Sequence, residues 1–302
     1  MKEKKKFKMS GKSRVVFNIF NYSLFGLFAF ICFYPLWYVF IYSMSVPSRT
    51  IRETVILWPL GFSLSNLRQV LQMKGIFHSF MVSVARTVLG TCGTVCTCTL
   101  LGYVFSKPSF PFRKFLYRML IVTMYISGGM IPTYLVYRTY GLLNNFLVYV
   151  IPPLISAYYV ILIKTYMESI PPSLEESAML DGAGYMTVFA RIIFPMSKPI
   201  VATIGVYAAV AQWNQWFDNH IYTFSKSELE TLQYKLYKFL QEASRLVAQI
   251  QESGQEVNIE NMLTPFGVRM TITLITVVPI LMVYPFLQRY IIKGIMIGAV
   301  KG

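Results

Sequence analysis

The sequence predicts an all-α integral membrane protein with about six transmembrane helices, each needing roughly 20 apolar residues. Composition supports this fold class, since 55% of the 302 residues are hydrophobic and 14% are charged, whereas soluble domains contain about 25% charged residues. The mean hydropathy is positive, at +0.51. Six apolar stretches are long enough to cross a bilayer: residues 17–44, 76–105, 115–137, 146–166, 199–221 and 266–292.

The first apolar stretch follows a basic segment, residues 1–16. A charged start of this kind resembles a signal peptide, but the apolar run is longer than a signal segment and lacks a small-residue cleavage site, which predicts a retained helix. The net charge of +15 is interpreted as membrane topology rather than nucleic-acid binding, because lysines and arginines cluster at the ends of apolar runs. Their distribution favours a cytoplasmic position for both termini.

Residues that carry common catalytic or metal chemistry are scarce. The sequence contains no phosphate-binding P-loop, no H-E-x-x-H metal motif and no G-x-S-x-G elbow, and its two histidines, His78 and His220, are far apart. The cysteines lie within apolar runs, as expected for small packing residues: Cys32, Cys92, Cys96 and Cys98. We therefore expect no catalytic residue, no metal and no cofactor on this chain, and no enzymatic activity.

The acidic residues avoid the apolar stretches, with Asp218 as the closest exception. Carriers driven by protons or sodium usually place carboxylates within their spans. This absence favours an energy source on another chain. A secondary carrier or channel that works alone remains the alternative, and a membrane-embedded enzyme is a weaker one.

The segment between the fourth and fifth stretches, residues 167–198, carries the most specific pattern. Ser173 and Glu176 have the spacing of a capping box, which predicts that a helix starts at Ser173. Gly182 provides a residue that readily adopts positive φ, and a second helical pattern follows until Pro195, which we expect to end it. The segment therefore predicts a helix-turn-helix element on the inner face of the membrane.

The spacing within this element closely resembles the E-A-A-x(3)-G-x(9)-I-x-L-P loop of binding-protein-dependent ABC importer permeases. The matching positions are Glu176, Ser177, Ala178, Gly182, Ile192, Phe194 and Pro195. Ser177 and Phe194 depart conservatively from alanine and leucine. The D-G-A sequence at residues 181–183 resembles the sugar branch, the maltose-type permeases, and residues 293–302 resemble the terminal K-G-x(3)-G-A-V-K-G of that branch.

The resemblance implies a type I ABC importer permease that forms half of a pathway for sugars, in particular oligosaccharides, in the cell membrane of a Gram-positive bacterium. It implies a second permease, an ATPase dimer that binds ATP and Mg, and an extracellular substrate-binding lipoprotein. Residues implied in ATPase coupling are Glu175, Glu176, Ser177, Ala178, Asp181, Gly182, Ala183 and Pro195. For Glu175 a solvated charge in the first turn of a helix is an equal alternative. Gly298 and Lys301 are implied in contacts of the tail with the ATPase.

The chain divides into a basic tail (1–16), a first helix with an outer loop (17–75), a permease core (76–292) and a cytoplasmic tail (293–302). The core contains the coupling loop, 167–198, and an outer loop, 222–264. Apolar residues recur at steps of three or four between Leu229 and Ile250, which predicts an amphipathic external helix. Its apolar stripe packs on the protein's own outer surface or docks a partner.

Sugar sites combine aromatic faces with amide or carboxylate groups, and the end of the fifth stretch offers both. The expected pathway residues are Trp213, Asn214, Trp216, Asp218 and Asn219, with Tyr125, Tyr158 and Tyr159 from neighbouring stretches. For the aromatic residues the alternative is anchoring at the membrane interface. Arg86 lies within the second stretch, where a charge must face the bundle interior or reach a headgroup. We expect a structural pairing for it, with attraction of an acidic sugar as the alternative.

Overall fold

The computed structural model describes residues 11–50, 53–253 and 265–299, and the regular elements in this part of the chain are helical. The α-helices are α1 (Gly11–Ser43), α2 (Pro47–Thr50), α3 (Ser65–Gln72), α4 (Ile76–Ser106), α5 (Arg113–Tyr125), α6 (Met130–Thr139), α7 (Ala157–Met167), α8 (Ser173–Leu180), α9 (Tyr185–Val188), α10 (Phe194–Met196), α11 (Lys198–Asn214), α12 (Phe217–Tyr222), α13 (Leu232–Ser253) and α14 (Pro265–Ala299). A π-helical turn, Phe189–Ile193, joins α9 to α10. Short 3-10 turns occupy Phe146–Tyr149, Pro152–Leu154 and Ser227–Leu229.

Three helices in the described part of the chain are long and apolar enough to cross a membrane. They are Arg14–Ser43, Ile76–Ser106 and Phe266–Pro285. Two further pairs of helical segments qualify only if each bent pair counts as one span: Phe146–Leu154 with Ala157–Met167, bent by 43°, and Tyr185–Met196 with Lys198–Asn214, bent by 77°. The described residues therefore contain three to five candidate spans.

This number is lower than the six spans predicted, and the difference has local causes. The predicted span 115–137 is divided, because α5 ends at Tyr125 and α6 begins only at Met130, with two adjacent glycines in the break. The predicted span 146–166 starts as 3-10 turns around Pro152, where the missing N–H groups of a proline pair prevent continuous helix. Hydropathy alone does not detect such breaks.

One compact unit contains the described residues within 1–71 and 246–274. Within it, the end of α1 packs on the loop that follows, since Ile41, Tyr42 and Val55 form a buried cluster. The Tyr42 ring also meets Phe266 of α14 edge to face, with centroids 4.9 Å apart. Asn66 is buried and donates to the Ser45 carbonyl at 3.0 Å. These contacts anchor the end of α1, whereas its earlier apolar side chains are exposed, as lipid contact requires.

The second compact unit consists of residues 72–245 and 275–302. Its core forms where α4 packs against α7 and α11, around Cys98, Ile163 and Ile204, which are fully buried. Close approach of α11 requires a glycine in α4, because a Cβ on Gly90 would lie 2.3 Å from Nε2 of Gln212. The helix α4 thus serves as the central element of this unit.

Two further expectations concern the cysteines and the outer loop. Cys98 belongs to the core while the other cysteines are exposed and free, and within the described ranges no group of His, Cys, Asp or Glu is arranged to hold a metal. The helix predicted within residues 222–264 is confirmed as α13. The structure describes no side chains of α13 beyond residue 242, so the rest of the predicted apolar stripe lies outside the described part. The N-terminal residues 1–10 also lie outside the described residues.

Candidate coupling element and candidate pathway cavity

The predicted helix-turn-helix element is present and consists of α8 and α9. Gly182 has φ +86° between the two helices, which confirms the predicted positive-φ position. The Ala183 N–H donates to the Ala178 carbonyl at 2.9 Å, and the Gly182 N–H donates to the Met179 carbonyl at 3.0 Å. This is the hydrogen-bond pattern of a Schellman C-cap, which requires a left-handed residue at its turn. Glycine at 182 therefore sets the angle between α8 and α9.

Two details of the element differ from the prediction. The helix begins at Ser173 as expected, but no side-chain cap forms; the Pro172 carbonyl instead accepts from the N–H groups of Glu175 and Glu176, both at 3.0 Å. Pro195 does not end the second helix, which continues through α10 to Met196. Proline is tolerated there because it occupies the first turn of α10, where its missing N–H breaks no intrahelical bond. The chain bends afterwards, before α11.

Both helices of the element contact the C-terminal end of α4. Glu175 of α8 forms an ion pair with Lys107, and each side chain is 15% exposed. The Lys107 ammonium also lies over the Tyr103 ring, 4.5 Å from its centroid. The Tyr103 hydroxyl in turn donates to the Tyr185 carbonyl at the start of α9, at 3.1 Å. The last turn of α4 and the residue directly after it thus contact both halves of the element. Sequence analysis missed this role because Lys107 and Tyr103 precede the loop by 60 residues or more.

The remaining predicted coupling residues lie on two faces. Glu176, Ser177, Asp181 and Pro195 are exposed. Ala178 and Ala183 are partly buried against the core formed by α4 and α7. Gly298 falls within α14, and Lys301 lies outside the described residues.

Large apolar side chains stand among the exposed polar ones of the element. Leu180 is 88% exposed and Met186 is 68% exposed, although both belong to a segment rich in polar residues. Exposed apolar side chains rimmed by polar residues are typical of a protein interaction site. The element therefore presents a surface suited to a protein partner.

A cavity of about 550 Å³ lies at the other end of this bundle. Arg86 on its wall precedes Lys107 by 21 positions, which corresponds to about 30 Å along α4. The wall is shared by α4, α6, α7, α11, α12 and the turns before α7. Its lining residues are Arg86, Thr94, Tyr137, Val148, Pro152, Pro153, Ile155, Ser156, Tyr159, Ala208, Ala211, Gln212, Gln215, Phe217, Asp218 and Tyr222.

Arg86 is buried, and all three nitrogens of its guanidinium group donate hydrogen bonds within the protein. It pairs with both carboxylate oxygens of Asp218, and its Nε donates to Oε1 of Gln212 at 3.0 Å. Nη1 also donates to the Gln215 carbonyl at 2.9 Å, and the guanidinium lies over the Tyr149 ring at 4.6 Å. The expected structural pairing is confirmed. The pair neutralises both charges and fixes the start of α12 against α4.

Other polar groups on the cavity wall have no such partners. Among the described residues, no hydrogen bond is made by the side chains of Tyr137, Tyr159, Tyr222 or Gln215. The rings of Tyr137 and Tyr222 meet edge to face, with centroids 4.9 Å apart. Burial, and secondarily the Asp218 carboxylate, raise the pKa of the Tyr222 hydroxyl, so this group stays protonated and able to donate. The wall thus combines aromatic faces with free donors and acceptors.

Most of the residues predicted for the pathway lie elsewhere. Trp213 packs with Ile76 and Leu232, and its indole N–H donates to the Thr276 carbonyl at 3.1 Å. Asn219 is buried and its Oδ1 accepts from the Thr231 N–H at 2.8 Å. Both residues therefore hold the structure together behind the cavity.

The other predicted pathway residues lie outside the cavity, apart from Asp218 and Tyr159. Asn214 accepts from Gln233 at 3.1 Å, and Trp216 stacks on Tyr237 of α13 with centroids 4.1 Å apart. Tyr125 is 83% exposed at the end of α5, and Tyr158 is also exposed. Asp218 does line the cavity, as does Tyr159. Tyr137 and Tyr222 on the same wall were not predicted, because no sequence spacing relates α6 to α12, whereas Gln215 lies directly beside the predicted residues.

The chain is similar to a known protein family and to several named proteins over most of its length. A family model described as "Binding-protein-dependent transport system inner membrane component" matches residues 98–297. The chain is 32% identical over 287 residues to the polygalacturonan/rhamnogalacturonan transport system permease protein YtcP of Bacillus subtilis (strain 168), covering 95% of this chain and 99% of that protein. It is 32% identical over 292 residues to Protein LplC of the same organism, covering 96% and 97% respectively.

A solved structure is also similar over nearly the whole length. It is the crystal structure of a bacterial ABC transporter involved in the import of the acidic polysaccharide alginate, matched with a TM-score of 0.83 and 28% identity over 94% of this chain and 99% of that chain. The chain therefore belongs to the family of binding-protein-dependent transport system inner membrane components, as a multi-pass membrane permease that is part of an ABC transporter complex and is not itself catalytic.

Proposed function

We propose that this permease forms half of the translocation pathway of an ATP-driven importer of oligosaccharides derived from polysaccharides. Relatives named for polygalacturonan, rhamnogalacturonan and alginate transport support this substrate class. The permease works with a second, homologous permease, an ATPase dimer and an extracellular substrate-binding lipoprotein. It lies in the plasma membrane with both termini in the cytoplasm, and its relatives in Bacillus subtilis support a Gram-positive source.

The observation that carries the proposal is the exposed surface of the coupling element. Leu180 at the end of α8 is 88% exposed, and Glu176 and Asp181 flank it on the exposed side. An apolar side chain with polar neighbours fits a groove on a protein partner, since burial of a leucine contributes about 1.5–3 kcal/mol. The acidic neighbours complement basic residues in such a groove. Glu175 has a different role, because Lys107 already neutralises it.

Movement of this surface is transmitted to the cavity through α4. The ion pair of Glu175 and the hydrogen bond to the Tyr185 carbonyl join the element to the last turn of α4. The same helix carries Arg86 at the cavity wall. Closure of the ATPase dimer therefore moves α4 as a rigid body, in the manner of other switching transitions, and changes the access to the cavity.

The test uses the complex of permeases and ATPase purified from the cell membrane and reconstituted in proteoliposomes with its binding protein. We expect uptake of labelled galacturonate oligomers or related oligosaccharides that requires ATP. Leu180→Glu places a charge in the apolar contact and should reduce uptake at least 10-fold while the chain still inserts in the membrane. Ser169→Glu, an exposed position before α8, serves as the control and should transport normally.

A secondary carrier would behave differently in the same assay. ATP-independent flux through the purified chain alone would reject the proposal. Normal ATP-driven uptake by the Leu180→Glu variant would reject the assigned contact surface. In the described residues, the one carboxylate on the cavity wall, Asp218, is already neutralised by Arg86, which does not favour a proton or sodium relay.

A further inference from the structure

We propose that the cavity beside Arg86 is a sugar subsite of this chain, which binds one pyranose unit through its hydroxyl groups and ring face and does not recognise a carboxylate. This inference rests on the proposed function and deepens it. A volume of about 550 Å³ falls within the roughly 300–1,000 Å³ of pockets that bind small ligands. The cavity also reaches the surface, because Ile155 and Phe217 on its wall are exposed.

The hydrogen-bonding groups on the wall suit a polyol. Tyr137, Tyr159 and Tyr222 each provide a phenol that both donates and accepts, and Gln215 provides an amide with both functions. Within the described part of the chain these four side chains have no hydrogen-bond partner, and a sugar offers several hydroxyls that match them. The aromatic faces of the tyrosines complete the site, because a tyrosine presents an apolar face with a polar edge.

The two charged groups on the wall, Arg86 and Asp218, are paired with each other. Arg86 uses its Nε, Nη1 and Nη2 on Gln212, Gln215 and Asp218, and Tyr149 covers its face. A uronate carboxylate that took the place of Asp218 would leave that buried carboxylate without a partner, which is strongly unfavourable. The subsite is therefore neutral overall. If the importer carries an acidic oligosaccharide, this subsite binds the hydroxyl groups and ring face of the sugar, which a neutral sugar also has.

The position of the subsite links it to the coupling element. Thr94 on its wall belongs to the same helix that ends just before Lys107, and it donates to the Pro153 carbonyl at 2.9 Å, which ties α4 to the turns on the opposite wall. Because α7 also shares its core with α4, a displacement of α4 that carries α7 with it changes the distance between Tyr159 and Tyr137 of α6, which would hold the ring. Loading and release of the sugar follow from the position of one helix.

Site-directed labelling tests the occupancy of the cavity. Gln215→Cys and Asn214→Cys are compared in a complex whose four native cysteines are replaced by serine or alanine. Position 215 lines the cavity, whereas the neighbouring Asn214 is exposed outside it. We expect galactose oligomers and galacturonate oligomers of equal length to slow maleimide labelling at 215 at least 5-fold, with half-protecting concentrations within about 3-fold of each other, and to leave 214 unaffected.

Transport measurements supply the second readout. Tyr159→Phe removes one neutral hydrogen bond to the sugar and should lower ATP-driven uptake about 2- to 10-fold for neutral and acidic oligomers alike. Tyr158→Phe is the matched control, since its side chain is exposed beyond the cavity wall.

The outcomes separate the two proposals. If the wild-type complex shows no ATP-dependent oligosaccharide uptake, the proposed function fails. If uptake is normal but neither oligomer protects position 215, or both positions are protected equally, the subsite is wrong. Protection by the galacturonate oligomer alone would show that the site recognises a carboxylate and would overturn the inference.

Discussion

Lys107, directly after α4, forms an ion pair with Glu175 of α8. The two residues are 68 positions apart, and their pairing attaches α8 to the end of a helix that is distant in the sequence. Together with the hydrogen bond from Tyr103 to the Tyr185 carbonyl, the pair holds α8 and α9 at a defined orientation to α4. It places Glu175 on the inside of the element and leaves Glu176 on the outside.

Removal of this ion pair should impair coupling. Lys107→Ala loses a partly buried pair worth about 1 kcal/mol, so we expect uptake per ATP hydrolysed to fall about 5-fold with ATP hydrolysis retained. Lys114→Ala is the matched control, because Lys114 is exposed on α5 and makes no ion pair with the described residues. The exchange Lys107→Glu with Glu175→Lys should restore part of the coupling. Unchanged uptake in Lys107→Ala would contradict the role of the pair.

Substitution of the glycine between α8 and α9 should also uncouple transport. Gly182 has φ +86°, but an added Cβ would meet no atom within 4 Å, so the cost of Gly182→Ala comes from the backbone conformation, about 1–2 kcal/mol. Gly182→Asn should be tolerated better than alanine, since asparagine visits left-handed conformations more readily. The measurement is uptake per ATP hydrolysed in proteoliposomes.

A nearby glycine provides the control for that experiment. Gly184 has φ −75°, and a methyl group added to it would also meet no atom within 4 Å. Gly184→Ala should therefore leave transport unchanged. Equal loss in the two alanine variants would mean that the element tolerates no added side chain, and positive φ at 182 would not be the cause.

The pair of Arg86 and Asp218 should govern the stability of the bundle. Arg86→Ala leaves a buried carboxylate without its cation, which costs about 3–5 kcal/mol, and we expect a large decrease in the apparent melting temperature in detergent. The double variant Arg86→Met with Asp218→Leu should be more stable than Arg86→Ala alone, because it removes both buried charges. Arg138→Ala, at an exposed position on α6, should melt like the wild type, and a similar melting temperature for Arg86→Ala would refute the assignment.

Close packing of α4 and α11 gives a further prediction. A methyl group on Gly90 would lie 2.3 Å from Nε2 of Gln212, so Gly90→Ala must displace a side chain that binds Arg86. Such overpacking costs about 1–3 kcal/mol, which thermal unfolding in detergent should detect. Gly26→Ala in α1 is the comparison, since no atom lies within 4 Å of its added Cβ, and it should be neutral or slightly stabilising.

The coupling element shows which structural features local sequence patterns can predict. The helix start at Ser173, the positive φ of Gly182 and the second helix were predicted because each depends on a few adjacent residues. The capping box did not form, since the Pro172 carbonyl satisfied the first N–H groups of α8. Pro195 did not end its helix, since a π-helical turn and a new first turn absorbed it.

The pathway residues show the limit of the same reasoning. Trp213 has the residue type of a sugar-stacking group, yet its indole packs behind the cavity and donates to the Thr276 carbonyl. The cavity wall instead receives Tyr137 and Tyr222 from separate helices. Which side of α11 faces the cavity depends on how it packs on α4, and an apolar helix surrounded by lipid and protein carries little periodicity to indicate this.

The amino-acid sequence by itself determined the membrane class, the helix-turn-helix between α7 and α11, and the family resemblance, because apolar length and turn chemistry act between residues close in the chain. Only the tertiary structure decided that Lys107 pairs with Glu175, that Arg86 is neutralised by Asp218 132 positions away, and that three tyrosines share one cavity. Charged and polar groups in an apolar environment gain stability only from partners brought within contact by packing, and that packing is a property of the folded chain as a whole.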